Sequence, residues 1–217
     1  MTMTTTTTDQ VASADVRFPT VAKVVLIGAP LLMAAGRALL VPLDDQEYDK
    51  TMSAMLAHET RSNTGWLLAL AACGLLSVTA FLLARRVAEA GRRRAAWFAT
   101  ITTAMGWAVT ACVCVAGLYM TVAAKAPDRA VQVQLQKDFN SSAAMGVMFL
   151  LAIGAMVGYI VLAVALAKAS IVSKGAAVLI GLGGVSTIIT MGGPVTLLLV
   201  LTALLLAAGH ALAVRGS

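Results

Sequence analysis

Charge is scarce in this chain: Asp, Glu, Lys and Arg together make up 12% of its 217 residues, about half the share a soluble domain carries. Folding such a chain in water would leave apolar surface uncovered, so the soluble classes are excluded. Aromatic residues are few as well, at 5%, which disfavours a pigment or polyisoprenoid site lined with rings. The three cysteines, Cys73, Cys112 and Cys114, all fall inside apolar runs, and an odd number offers no disulfide framework. Cys112 and Cys114 are two apart, so on a helix they point ~200° from each other. Catalytic motifs are missing too. His58-Glu59 opens an HExxH pattern, but the second histidine would have to stand where Ser62 is. Gly181-Leu-Gly183-Gly184-Val-Ser186 lacks the third glycine of a dinucleotide loop. No Ser-His-Asp order, Walker motif or acidic metal pair is present. The two histidines, His58 and His210, fall near opposite ends of the expected bundle, so one haem cannot use both. No cofactor is called for.

What is abundant is apolar sequence: 59% of residues are hydrophobic and the mean hydropathy is +0.88. A helix crossing a bilayer needs ~20 apolar residues. Runs of that kind cover 21–41, 64–84, 97–124, 142–167, 175–191 and 195–214. They predict an all-α integral membrane bundle of about six transmembrane helices, a single domain over 21–214. The third run is long for one crossing and is expected to begin near Phe98 or to project into water. The fifth is short and glycine-rich. Gly192-Gly193-Pro194 then breaks the helix, so a re-entrant hairpin over 175–214 is the rival to two full spans. Residues 1–20, rich in threonine, read as a disordered tail. A signal peptide cleaved after Ala34-Ala35-Gly36 is the rival there, against which the apolar run continues to Val41.

Lys and Arg orient the spans. With both termini in the cytoplasm, the inner side collects Arg17, Lys23, Arg85, Arg86, Arg92, Arg93, Arg94, Lys168, Lys174 and Arg215. The outer loops hold Lys50, Arg61, Lys125, Arg129 and Lys137. That asymmetry follows the positive-inside rule for an even number of spans in the plasma membrane. The net charge of +6 is thus an orientation signal and an attraction to anionic headgroups, above all at Arg85, Arg86, Arg92, Arg93 and Arg94. Nucleic acid is not an expected partner; membrane lipids and a partner membrane subunit are.

Two outer loops carry helical periodicity. Tyr48, Met52, Met55, Leu56 and Glu59 mark one face, and Val131, Leu135 and Phe139 recur every fourth residue among glutamines. Both predict short amphipathic helices at the outer surface or across the bundle mouth. Each precedes a polar cluster, Ser62-Asn63-Thr64 or Asn140-Ser141-Ser142, suited to cap the next span. Met52, Met55 and His58 are three apart and would suit Cu(I) if they shared a face; the rival is ordinary packing. Arg37, a charge inside a span, is expected either to snorkel to water beside Asp44, Asp45 and Glu47 or to line a ligand site with Glu59 and Arg61. Gly154 and Gly158 form a GxxxG step, and Ala203, Ala207 and Ala211 a ladder, both fit for close helix packing. His210 is expected to bond a headgroup or a backbone carbonyl.

With Arg37-Ala-Leu-Leu-Val-Pro42, Met55-Leu-Ala-His58, Trp66-Leu-Leu-Ala-Leu and Gly74-Leu-Leu in view, the stretch 24–84 resembles the first hairpin of uncharacterised small multi-pass membrane proteins of actinobacteria. The resemblance implies a six-span bundle and no particular activity. Three functions are expected in descending order. The first is a non-enzymatic accessory subunit or small lipophile-binding module with its site at the outer face. The second is a small transporter, exporter or immunity protein, suggested by the broken fifth span. The third is a membrane enzyme using His58, Glu59 and Arg37.

Overall fold

The computed structural model describes residues 18–41, 47–189 and 196–215. The threonine-rich tail, Asp44 and Asp45, and the Gly192-Gly193-Pro194 break lie outside the described residues. Within them the chain is all-α, with eight helices and no strand: α1 Thr20–Leu39, α2 Tyr48–Ala57, α3 Glu59–Glu89, α4 Arg93–Ala123, α5 Arg129–Asn140, α6 Ala143–Lys168, α7 Lys174–Ile189 and α8 Thr196–Arg215. Five of them, α1, α3, α4, α6 and α8, are long and apolar enough to cross a membrane. At 1.5 Å per residue α7 reaches only ~24 Å, short of a ~30 Å hydrocarbon core.

Six helices close into a ring in the order α1, α3, α4, α6, α7, α8 and back to α1. Neighbours run antiparallel throughout. Gly36 of α1 meets Gly65 and Ala69 of α3, while Phe18 at the other end lies 5.0 Å from the Arg86 guanidinium. Trp66 of α3 lies on Gly117 of α4, and Gly106 of α4 on Ala155 of α6. Tyr159 of α6 covers Gly184 of α7, and Gly183 of α7 abuts Leu206 of α8. His210 of α8 reaches Leu26 of α1. Alternation around a ring of even number brings Phe18 and Arg215 to one end. The same end carries Arg85, Arg86, Arg92, Arg93, Arg94, Lys168 and Lys174, and is called the basic end below. There Arg85, and with it Arg86, bonds Glu89 and holds that carboxyl below its usual range.

Small residues set the interhelical distances. A Cβ on Gly36 would stand 2.8 Å from the Ala69 amide nitrogen, and one on Gly65 2.9 Å from the Gly36 carbonyl oxygen. Only backbone-to-backbone contact of α1 and α3 allows that. Gly158 faces Thr102 and Thr103 of α4, whereas Gly154 has nothing within 4 Å. Ala203 and Ala207 of α8 are buried and Ala211 is half-buried. The outward faces stay apolar: Val122, Phe149, Leu150 and Leu197 are all about two-thirds exposed.

Of three boundaries, one differs from the sequence reading and two fall within it. The helix containing the second span begins at Glu59 and has His58 as its N-cap residue, so Ser62-Asn63-Thr64 lies inside the helix and does not cap it. The third span starts at Arg93 and runs for 31 residues, ~46 Å, and therefore projects beyond a bilayer at the basic end. Ser142 does cap α6, its hydroxyl accepting from the Met145 amide.

Glycine substitutions test this packing. Gly36→Ala should destabilise the protein by about 1–3 kcal/mol, the range for forcing a methyl into a filled contact. Gly154→Ala, which meets open space, should be neutral or stabilise by up to about 1 kcal/mol. Unfolding of both variants in detergent measures the difference, and equal effects would contradict the α1–α3 contact.

Candidate functional site: the buried Arg37 centre

The second and third turns of α3 and the last two turns of α1 carry the polar atoms that enter the ring. Arg37 stands next to Gly36, where the two backbones touch, and is only 4% exposed. Its side chain runs across the ring to α7 and α8. Nη2 donates to the Thr187 carbonyl at 2.8 Å, and Nη1 to the Leu199 carbonyl at 3.3 Å and the Thr202 hydroxyl at 3.5 Å. Thr187 belongs to the last turn of α7, whose end carbonyls lack helix partners and carry the negative end of the helix dipole. The guanidinium thus caps α7 and joins it to α8. The expectation that Arg37 snorkels to water is corrected: with its neighbour Gly36 pressed on α3, the side chain is directed into the bundle.

A cavity of about 20 Å³ adjoins the guanidinium, lined by Arg37, Trp66, Thr110 and Cys114 together with Met33 and Leu199. That volume suits one water and excludes a lipophile. Trp66 is 3% exposed, and its indole N–H has no hydrogen-bond partner. The Ser62 hydroxyl, one turn earlier on the same face of α3, is likewise buried and unpartnered. Thr110 donates to the Gly106 carbonyl at 2.9 Å, which leaves its oxygen free to accept. The lining offers donors in Trp66 and Arg37 and an acceptor in Thr110 to a guest of that size. Across the ring, Trp107 donates to the Tyr159 hydroxyl at 2.9 Å, their rings edge to face at 6.2 Å.

Of the three residues expected to form one lining, Arg37 is buried in the ring while Glu59 and Arg61 bond at its mouth. Glu59 pairs with Lys125 at 2.5 Å, and Arg61 is exposed and donates to the Ala38 carbonyl at 3.3 Å. The proposed copper ligands are separated as well. Met52 and Met55 are 1% and 0% exposed in the core, while His58 is exposed at the junction where α2 ends. His58 is exposed and Glu59 half-buried at that junction, whereas Arg37 is buried in the ring. Among the described residues no group of three or more His, Cys, Asp and Glu is placed to hold a metal ion. His210 is fully buried, and its Nδ1 lies 2.7 Å from the Leu26 carbonyl oxygen. A backbone carbonyl, not a headgroup, is its partner.

Two features escaped the sequence reading. Cys73 and Cys114 are both buried, on the neighbouring helices α3 and α4. The signal for it was legible: Thr110, Cys114 and Gly117 make a stripe of small residues along α4, with Trp66 of α3 packed on Gly117 and Trp66 and Ala69 sharing the cavity with Thr110 and Cys114. The second is the hold on α5. Arg129 bonds the Asp49 carboxylate at 2.8 Å and the Ser53 hydroxyl at 2.6 Å, Asn140 bonds the Tyr48 hydroxyl, and Tyr119 donates to Gln132 at 3.0 Å. Even so, α5 has no buried residue, and Val131, Leu135 and Phe139 are 51%, 54% and 40% exposed. At the basic end a groove of about 210 Å³ between α3 and α4 is lined by Phe81, Arg85, Trp97 and Thr100 among others.

Compared with models of known protein families, with curated proteins and with solved structures, the chain matches none.

Hydrogen bonds to a charged group contribute about 1.5–3 kcal/mol each. Arg37→Met should therefore lower stability by about 2 kcal/mol or more in denaturant unfolding. Arg37→Lys should recover less than half of the loss, because one ammonium cannot hold carbonyls on two helices. Glu59→Gln, which breaks only a part-exposed ion pair, should cost under about 1 kcal/mol. A lysine variant as stable as the wild type would contradict the bridging role.

Proposed function

We propose that the chain is a multi-pass integral membrane protein of the plasma membrane, both ends cytoplasmic, that acts without catalysis as an accessory membrane module. Its working surface is the outer face built by α2 and α5. One observation carries this reading: α5 is fixed to α2 and α4 by polar ties, yet its apolar stripe of Val131, Leu135 and Phe139 is uncovered. A helix held rigidly with its apolar face open is suited to lie in the headgroup boundary or against a partner membrane subunit. The groove beside Arg85 and Trp97 supports contact of the opposite end with anionic lipid headgroups. The small volume beside Arg37 moves the ligand reading from an internal lipophile pocket to this outer surface. The likeness of residues 24–84 to small actinobacterial membrane proteins agrees with such a module and supports an actinobacterial origin.

A transporter is the second reading. It is favoured by α7, which is too short to cross alone and whose C-terminal end is held by a buried charge, as in the interrupted helices of transporters.

Membrane-impermeant maleimide labelling tests the orientation. Starting from a cysteine-free chain, Lys137→Cys on α5 should label in intact cells, and Ala90→Cys in the α3–α4 turn only after permeabilisation. The reverse pattern would overturn the topology. For the function, Leu135→Glu should abolish co-purification of a stoichiometric partner, or loosen the lipid contacts of α5, with helical content unchanged. Substrate flux in proteoliposomes that is insensitive to Leu135→Glu but lost on Arg37→Met would favour transport instead.

A further inference from the structure

We propose that the groove between α3 and α4 at the basic end seats one acyl chain of an anionic phospholipid, with Arg85 holding the lipid phosphate. The proposal rests on the membrane placement inferred above, though not on which side that end faces. The groove has a volume of about 210 Å³, room for ~7 water-sized groups such as methylenes. Buried Ala84 and Ala96 form its floor, half-buried Ala88 continues it, and Phe81 and Trp97, 51% and 64% exposed, flank it. The Thr100 hydroxyl in the lining donates to the Ala96 carbonyl at 2.9 Å, so the groove asks for no polar guest. Helix geometry sets its depth. Residues 81–88 lie within ~12 Å of the end of α3 at Glu89, a distance that reaches from the headgroup layer into the acyl region.

Charge at the rim selects the headgroup. Between positions 85 and 94 the chain carries five arginines and one glutamate. Arg85 lines the groove with its side chain 68% exposed, and the Glu89 carboxylate takes its Nε at 2.9 Å. That bond leaves the two Nη groups for a second anion, and a guanidinium pairs bidentately with phosphate oxygens. Glu89 is also bonded by Arg86 at 3.1 Å, so one carboxylate serves two guanidiniums and the rim keeps a positive charge. Trp97 has the amphipathic ring that favours the level of the headgroups. An apolar trough ending at an exposed guanidinium fits an amphiphile. A free phosphate would leave the trough empty, and a zwitterionic lipid would bring one more cation to an end rich in arginine. A partner helix would need a longer apolar strip than ~12 Å.

The test uses the full chain in detergent micelles with lipid added, read by native mass spectrometry. The wild type should retain one phosphatidylglycerol per chain at least tenfold more tightly than phosphatidylcholine with the same acyl chains. Arg85→Gln should bring phosphatidylglycerol down to the phosphatidylcholine level. Lys168→Gln, which removes the same charge from the same end on α6, should change retention less than twofold. Ala88→Leu, which fills the groove, should weaken both lipids at least fivefold; Thr100→Leu fills it from α4 should the first variant fail to fold. No preference between the two lipids, equal effects of Arg85→Gln and Lys168→Gln, or full retention with the groove filled would overturn the proposal. So would a dimer of the chain, free of lipid, that Ala88→Leu disperses. Micelles carry no sidedness, so a reversed labelling pattern leaves this result untouched, and a failure here leaves the topology and the α5 surface standing.

Discussion

A guanidinium placed inside an apolar bundle must be given hydrogen-bond acceptors there, because transferring a bare charge out of water costs far more than a single contact returns. In this protein acceptors come from α7 and α8. The Thr187 carbonyl lies in the last turn of α7, where helix geometry leaves oxygens available, and the Leu199 carbonyl and Thr202 hydroxyl of α8 accept as well, the Leu199 carbonyl shared with the Thr202 hydroxyl. Much else follows from that demand. The backbone contact of Gly36 with Gly65 and Ala69 brings α1 close enough to α3 for the side chain to enter the ring. Gly183 brings α7 against Leu206 of α8, and Gly184 accommodates the Tyr159 ring. A helix too short to cross a membrane is thereby fixed between two longer ones.

The ring separates two kinds of surface. Inside are the small residues, the back-bonded threonine hydroxyls of α3, α4 and α8, the Trp107–Tyr159 pair and the buried Cys73 and Cys114. Outside, long apolar side chains point away from the bundle. The two short helices at the end opposite the basic cluster behave differently from each other. Helix α2 turns Tyr48, Met52 and Met55 into the core and closes the mouth of the ring. Helix α5 buries no residue fully; half-buried Val133 packs against the core, and an ion pair and hydrogen bonds hold the rest. The polar groups of the core therefore lie within the ring, and an uncovered apolar stripe of Val131, Leu135 and Phe139 lies on α5.

The long apolar helices were readable because crossing a bilayer demands length and hydropathy that few other structures need. The fourfold spacing of Val131, Leu135 and Phe139 likewise announced α5. The start of α3 was misread because Ser62, Asn63 and Thr64 are good capping residues locally. His58 leaves the helical region at φ −126°, ψ 38°, and no residue type declares that in advance. Arg37 lay beyond a local reading for a different reason. Whether a charge near a span end snorkels outward or turns inward depends on which neighbour its backbone touches, and its partners stand 150 or more positions away in sequence.

The claim on which the account rests is that Arg37 closes the ring by holding α7 and α8 against α1. Hydrogen–deuterium exchange of the wild type and the Arg37→Met variant, both folded in detergent, tests it most directly. The account predicts that backbone amides of 174–189 and 196–215 lose at least tenfold protection while those of α3 and α4 keep theirs. Unchanged protection in α7 and α8, or a uniform loss over all the helices, would contradict it.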